Sequence, residues 1–339
     1  LKDKELKLFL DGTQELGDNF SFSQGAGGNT SYKSGGSLFI KASGLKLKKA
    51  NSKNIFVEVN YKKILKNLKS SSVDPLNEVC KENEIYKPSI ETTMHAIMPQ
   101  KYIFHLHCLN TISLVIQNNF EKDLDVLFKD LNYAVIKYTM PGISLTKEIQ
   151  KKLKDFVPDV LFLSNHGLVV GANSVKEALK KIYNISNKLN KSTLKKINLK
   201  QNILNEISRN TLYRPTKFIE ANQLASSDRL INIVIEGSLF PDQVVFLGPK
   251  IYLVNSLIDL YKISEDFKSA AKLPIVIIPK AGILVPRNIS PESEELVLAL
   301  YLIITKIPIG KEINYLSKSE ENEILNSNAE KYRLKINNS

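Results

Sequence analysis

The chain has 339 residues, 43% of them apolar, and a formal net charge of +12. That length holds one large domain or two ordinary ones with a sizeable core. No run reaches the roughly 18 or more apolar residues that a membrane-spanning helix needs, and the positive charge is nearly all lysine, spread through every predicted element, with only five arginines, so neither membrane insertion nor nucleic-acid binding is expected.

The N-terminal stretch LKDKELKLFLDGTQEL reads as an amphipathic helix over 3–20 and lacks a signal-peptide core, so a cytoplasmic location is expected. The glycine-rich loop SFSQGAGGNTSYKSGG follows. Phe20 and Phe22, then Leu38, Phe39 and Ile40, supply strand character on either side of a turn at Lys33–Gly36. Gly25, Gly27 and Gly28 beside Asn29 and Thr30 suit a backbone that approaches an anion closely, or simply a hairpin with glycine turns. The loop is neither a dinucleotide fingerprint, because Thr30 stands at its sixth position, nor a P-loop, because no Gly-Lys-Ser/Thr closes it. Ser43-Gly44 adds a hydroxyl and a flexible backbone after the second strand.

A strand is predicted at 55–60 and a helix followed by a surface loop over 61–84. A helix is predicted at 89–98, with Ser89 as its cap and Glu91 in its first turn. Strand 102–108, helix 110–118, strand 133–138, helix 145–155, strands 160–163 and 168–173, and a helix at 174–190 capped by Ser174 complete a layered α/β domain with a mostly antiparallel central sheet. Residues 190–210 read as a lysine- and asparagine-rich helical connector. Strands at 231–237, 243–248, 251–255 and 273–279 then alternate with helices at 257–271 and 291–305, before a last helix at 316–333. The expected organisation is a first domain over 1–205 and a smaller α/β accessory domain over 206–339.

Three of the four histidines, His95, His105 and His107, fall in the stretch SIETTMHAIMPQKYIFHLH, and the fourth is His166 in Ser-Asn-His-Gly. Strand side chains alternate, so His105 and His107 point to one face. They are either partly buried core histidines or two ligands of an open metal site, and the scarcity of histidine elsewhere favours ligands. Glu91 and His95, four apart in a predicted helix, also share a face, and His95 is expected to support the site structurally. Cys80 and Cys108 form neither a disulfide framework nor a paired zinc spacing, and Cys108 is expected in the core.

In order, the motifs are Gly27-Gly28-Asn29-Thr30-Ser31, Ser43-Gly44, Ser89-Ile90-Glu91 with His95, His105-Leu106-His107 and Asn165-His166-Gly167. This series resembles the class II aldolase/adducin family over roughly residues 5–190. The resemblance implies that His105, His107 and His166 bind zinc or another divalent metal, with Glu91 as a further ligand and the catalytic acid/base. It implies a substrate or phosphate pocket made of Gly28, Asn29, Thr30, Ser43, Gly44 and Ser89. Ile90 departs from the family, whose sugar-phosphate aldolases often carry a second serine there. A tyrosine usually assists as proton donor, and Tyr133 and Tyr138 are candidates by location.

The implied activity is that of an aldolase making or breaking a carbon–carbon bond in a hydroxy-ketone or sugar phosphate, within carbohydrate metabolism. Epimerase, dehydratase or decarboxylase chemistry on the same scaffold is the first alternative. A non-catalytic adducin-like interaction module is the second. The implied partner is a small-molecule substrate, and a homo-oligomer, commonly a tetramer, is implied too. FPDQVVFLGP and the tail LSKSEENEILNSNAEKYR resemble the region that follows the aldolase unit in bifunctional aldolase/short-chain dehydrogenase proteins, whose dehydrogenase part is expected to be absent here.

Overall fold

The computed structural model describes residues 2–70, 74–80, 84–190, 197–269 and 272–337. The chain divides into two compact units, Leu1–Asn190 with Asn326–Ser339, and Lys191–Leu325. The boundary expected at 205 therefore lies earlier, and the end of the chain belongs with the first unit. Part of the expected 190–210 connector, residues 191–196, lies outside the described residues, as do the last two positions of the expected 257–271 helix and parts of the 61–84 loop.

The strands of the first unit are β1 (Asn29–Ser34), β2 (Ser37–Lys41), β3 (Phe56–Asn60), β4 (Tyr102–Leu106), β5 (Tyr133–Ile136), β6 (Val160–Leu163) and β7 (Gly167–Ala172). They form one sheet in the order β3-β2-β1-β4-β7-β6-β5. Every pairing is antiparallel except β5 with β6. Its helices up to Asn190 are α1 (Lys2–Asp18), α2 (Tyr61–Asn67), α3 (Thr92–Ile97), α4 (Leu109–Val115), α5 (Phe120–Leu127), α6 (Ile143–Leu153) and α7 (Val175–Leu189).

The two faces of β4 show how the sheet is layered. Tyr102, Phe104 and Leu106 join a core with Phe9 and Leu16 of α1, Val115 of α4 and Ala178, Ile182 and Ile185 of α7. Ile103, on the other face, packs with Met94 of α3, Met98 beyond it, and Leu145 and Ile149 of α6. Each large side chain removed from water in this way stabilises the fold by about 1.5–3 kcal/mol before entropy is counted. Cys108 is buried in the first of these cores, as expected.

Three local expectations are corrected. Phe20 and Phe22 are not in a strand: the Asn19 side chain accepts from the Ser21 amide and folds the chain into turns, and the Phe22 ring packs edge-on against Tyr183 of α7. The first strand starts only at Asn29, and the turn to β2 is Gly35-Gly36, between the paired Ser34 and Ser37. The helix expected from 89 begins at Thr92. Ser89 Oγ accepts from the Glu91 amide and Ser89 O accepts from Thr92 Oγ1, which leaves Glu91 at the helix entrance rather than inside its first turn.

The second unit has a four-stranded sheet, β8 (Tyr213–Pro215), β9 (Tyr252–Leu253), β10 (Val276–Ile278) and β11 (Gly282–Pro286), in the order β8-β11-β10-β9. Its helices are α8 (Asn202–Ser208), α9 (Asp228–Glu236), α10 (Pro241–Leu247), α11 (Leu257–Asp266), α12 (Pro291–Ile304) and α13 (Lys318–Asn326), the last ending at the unit boundary. The apolar runs expected as strands at 231–237 and 243–248 are helices. Ser227 caps α9 by accepting from the Leu230 amide and Asp228 follows in its first turn; α10 starts with Pro241 at its first position and Asp242 next. These start signals outweigh the β preference of the branched residues between them. The expected last helix is two helices, because Ser327 restarts it as α14 (Asn328–Asn337), which lies in the first unit. Among the described residues no single helix is long and apolar enough to cross a membrane.

Candidate metal centre

His105 occupies β4 on the same face as Ile103, and His107 follows just beyond the strand end. His166 stands in the tight connection from β6 to β7, where its amide donates to the Leu163 carbonyl at 3.1 Å. Because β7 is the neighbour of β4, with Leu106 opposite Leu168, that connection delivers the third imidazole beside the other two. The ring centroids are 5.1 Å (His105–His107), 4.7 Å (His105–His166) and 5.3 Å (His107–His166) apart. One nitrogen from each lies within 4.8 Å of the others, and all three residues are buried.

The His105 ring is oriented from behind. Its Nδ1 lies 3.2 Å from the Leu168 carbonyl, which can only accept, so Nδ1 carries the proton and Nε2 faces the cluster. Glu91 lies across from it, with Oε2 3.3 Å from His105 Nε2 and Oε1 3.7 Å from His166 Nε2. Burial pushes the Glu91 carboxyl up, but the imidazoles of His105 and His166, the Asn29 amide and His107 together outweigh it and hold it at about 2. The carboxylate is therefore ionised at neutral pH. Its Oε1 is buried and accepts no hydrogen bond from the described residues. A buried carboxylate oxygen beside three converging imidazoles is a donor set that suits a divalent cation of the zinc type.

The predicted pocket residues separate into groups. Asn29, on β1 opposite His105, donates from Nδ2 to Glu91 Oε2 at 2.7 Å and to Ser89 Oγ at 3.2 Å. Gly28 has φ +71°, and a Cβ there would meet the His105 carbonyl at 2.7 Å, so glycine lets the loop lie directly on the histidine-bearing strand. Thr30 is not brought to the centre: alternation turns it to the other face, where its hydroxyl meets that of Thr13 at 3.1 Å. Ser43 lies in the loop beside Lys87–Ser89, its amide donating to the Lys87 carbonyl at 2.9 Å. Gly44 has φ +81° and carries α14, for a Cβ there would meet the Ile336 side chain at 2.7 Å and the Arg333 carbonyl at 3.0 Å. Ile90 packs against Gly142 at the start of α6.

Of the two tyrosines, Tyr133 packs with the core on the face opposite the imidazoles and gives its hydroxyl to Asp125 at 2.7 Å. Tyr138 follows two residues beyond the end of β5, with its hydroxyl buried.

The contacts of two residues escaped the sequence reading. Ser31 shares the Asn29 face of β1 and meets His95 Nδ1 at 2.7 Å, a placement that alternation gives once the strand start is fixed. Lys41 is buried at the end of β2, and its ammonium donates to the Ala26 carbonyl at 3.1 Å and the Leu45 carbonyl at 2.6 Å, joining the glycine loop to the Ser43-Gly44 loop. A lysine closing an apolar strand was its only signal.

Residues 12–190 match the sequence profile of the class II aldolase and adducin N-terminal domain. A curated relative, the uncharacterized oxidoreductase YuxG of Bacillus subtilis (strain 168), is 25% identical over 114 residues, which are 33% of this chain and 16% of that protein. The chain thus spans only a small part of that relative. Among solved structures, the N-terminal class II aldolase domain of a conserved protein from Thermoplasma acidophilum is 24% identical, with a TM-score of 0.49 over 55% of this chain and 92% of that one. A sugar-phosphate aldolase from Thermotoga maritima is 16% identical, with a TM-score of 0.42 over 56% of this chain and 93% of that one.

Proposed function

The chain belongs to the class II aldolase and adducin family, and from that premise we propose that it is a metal-dependent lyase that makes or breaks a carbon–carbon bond in a hydroxy-carbonyl substrate. The observation that carries this reading is the buried cluster of three imidazoles with an ionised Glu91 beside it. An interaction module needs the fold alone and not three imidazoles converging on a carboxylate, a donor set that suits a divalent cation.

His105, His107 and His166 would hold the ion, zinc in this reading, with Glu91 as the fourth protein donor. When bound, the ion supplies Lewis acidity that polarises a substrate carbonyl and favours negative charge on the adjacent oxygens. The remaining work belongs to the chain. Glu91 moves a proton to or from the carbon beside the carbonyl, and Asn29 and the strand-borne rings fix where it stands. The β4 and β7 backbones keep the imidazoles in place before substrate arrives. The substrate is a sugar-derived hydroxy-ketone or its phosphate, and the chain acts in the cytoplasm as a homo-oligomer.

The test is solvent deuterium incorporation into hydroxy-ketones, measured on the zinc-loaded protein. Wild type is expected to label the carbon beside the carbonyl, and Glu91→Gln, its metal retained by saturating zinc, to lose about 10²–10⁴-fold of that rate. Unchanged exchange in Glu91→Gln would remove Glu91 from the chemistry.

A further inference from the structure

Glu91 fixes the polarity of a buried hydrogen-bond chain that runs away from the metal centre. A carboxylate only accepts, so the 2.7 Å contact to Glu91 Oε2 identifies Asn29 Nδ2 as the donor and turns Asn29 Oδ1 the other way. That oxygen lies 2.5 Å from His95 Nε2 and also only accepts, so His95 Nε2 carries the proton. The neutral ring then has a lone pair at Nδ1, which accepts from Ser31 Oγ–H at 2.7 Å. Burial reinforces the assignment by pushing the His95 imidazole down to about 3. Ser31 and His95 are fully buried, and Asn29 and Glu91 nearly so.

We propose that Ser31, His95 and Asn29 form a positioning relay for Glu91, clamping Oε2 so that Oε1 is presented to the metal centre. The proposal rests on the reading of Glu91 as the acid/base of that centre. Ser31 and Asn29 come from β1 and His95 from α3, so the relay also locks the helix entrance carrying Glu91 to the strand beside β4. Both protons of the Asn29 amide are spent, one on Glu91 and one on Ser89. A hydrogen-bonded partner that orients a ligand in this way typically sets 10–100-fold of metal affinity or activity.

The first experiment reads the tautomer directly, by long-range ¹H–¹⁵N correlation on the metal-free full chain with ¹⁵N-labelled histidine. His95 is expected with the proton on Nε2 and an accepting Nδ1, and an Nδ1–H tautomer would overturn the relay. The second titrates cobalt(II) into wild type, His95→Gln, His95→Leu, Asn29→Ala and the His95→Leu/Asn29→Ala double variant. Glutamine can donate and accept along the same line, so it is expected to stay within about threefold of wild type, while leucine loses about tenfold or more. The double variant is expected to be no worse than Asn29→Ala alone, because both changes break one path. Multiplying losses, or a folded His95→Leu protein with wild-type cobalt affinity, would contradict the relay. A folded wild type that binds no cobalt would instead sink the metal-centre reading, while the tautomer would still judge the relay.

Discussion

Glu91 is held charged at about 2 against its own burial by the imidazoles of His105 and His166, the Asn29 amide and His107. Its ordinary value is 4.5, so the folded chain binds fewer protons than the unfolded chain between those limits. The stabilisation from this group is complete above pH 4.5 and is lost as pH falls toward 2. In acid titration of the metal-free protein, Glu91→Gln should therefore unfold at higher pH than wild type, followed by circular dichroism. Coincident curves would show that the carboxylate does not feel the rings. At this scale the convergence of the imidazoles was legible in the sequence, since the two-residue spacing of His105 and His107 in an extended run turns both rings to one face. The fate of Thr30 was not legible, because it depends on where β1 begins, and a shift of one residue exchanges the two faces.

Among the elements, the sheet and helices around the histidines were largely readable, because α7 and β4 to β7 carry clear period, caps and turn residues. The second unit was less so. In α9 and α10, branched apolar residues suggest strands, and short helices packed into a core show little polar periodicity, so only Ser227 and Pro241 mark them. The placement of α14 was invisible, since its contacts lie 245 residues or more away in sequence. Its Tyr332 hydroxyl accepts from the Lys87 amide at 3.2 Å, and Ile336 fills the space over Gly44. Gly44→Ala should cost about 1–3 kcal/mol through crowding and a left-handed backbone. It should also raise hydrogen exchange in α14, measured by mass spectrometry. Unchanged exchange in α14 would show that the helix does not depend on that contact.

At the scale of the whole molecule, the candidate metal donors belong to the first compact unit, and the second has its own sheet and core. A cation that binds only the folded first unit stabilises it by mass action, about 2.7 kcal/mol at a hundredfold excess over its dissociation constant. Zinc should therefore slow hydrogen exchange in β4, β7 and α3 of the wild type and leave β10 and β11 unchanged; equal protection of both units would argue against a site confined to the first. The most direct test of the central claim is the metal content of the folded chain and of His105→Ala, His107→Ala and His166→Ala after zinc resupply and dialysis. We predict one tightly held ion per wild-type chain, absent from each variant while the helical circular dichroism is kept. A folded wild type that retains no ion, or variants that all retain it, would contradict the account.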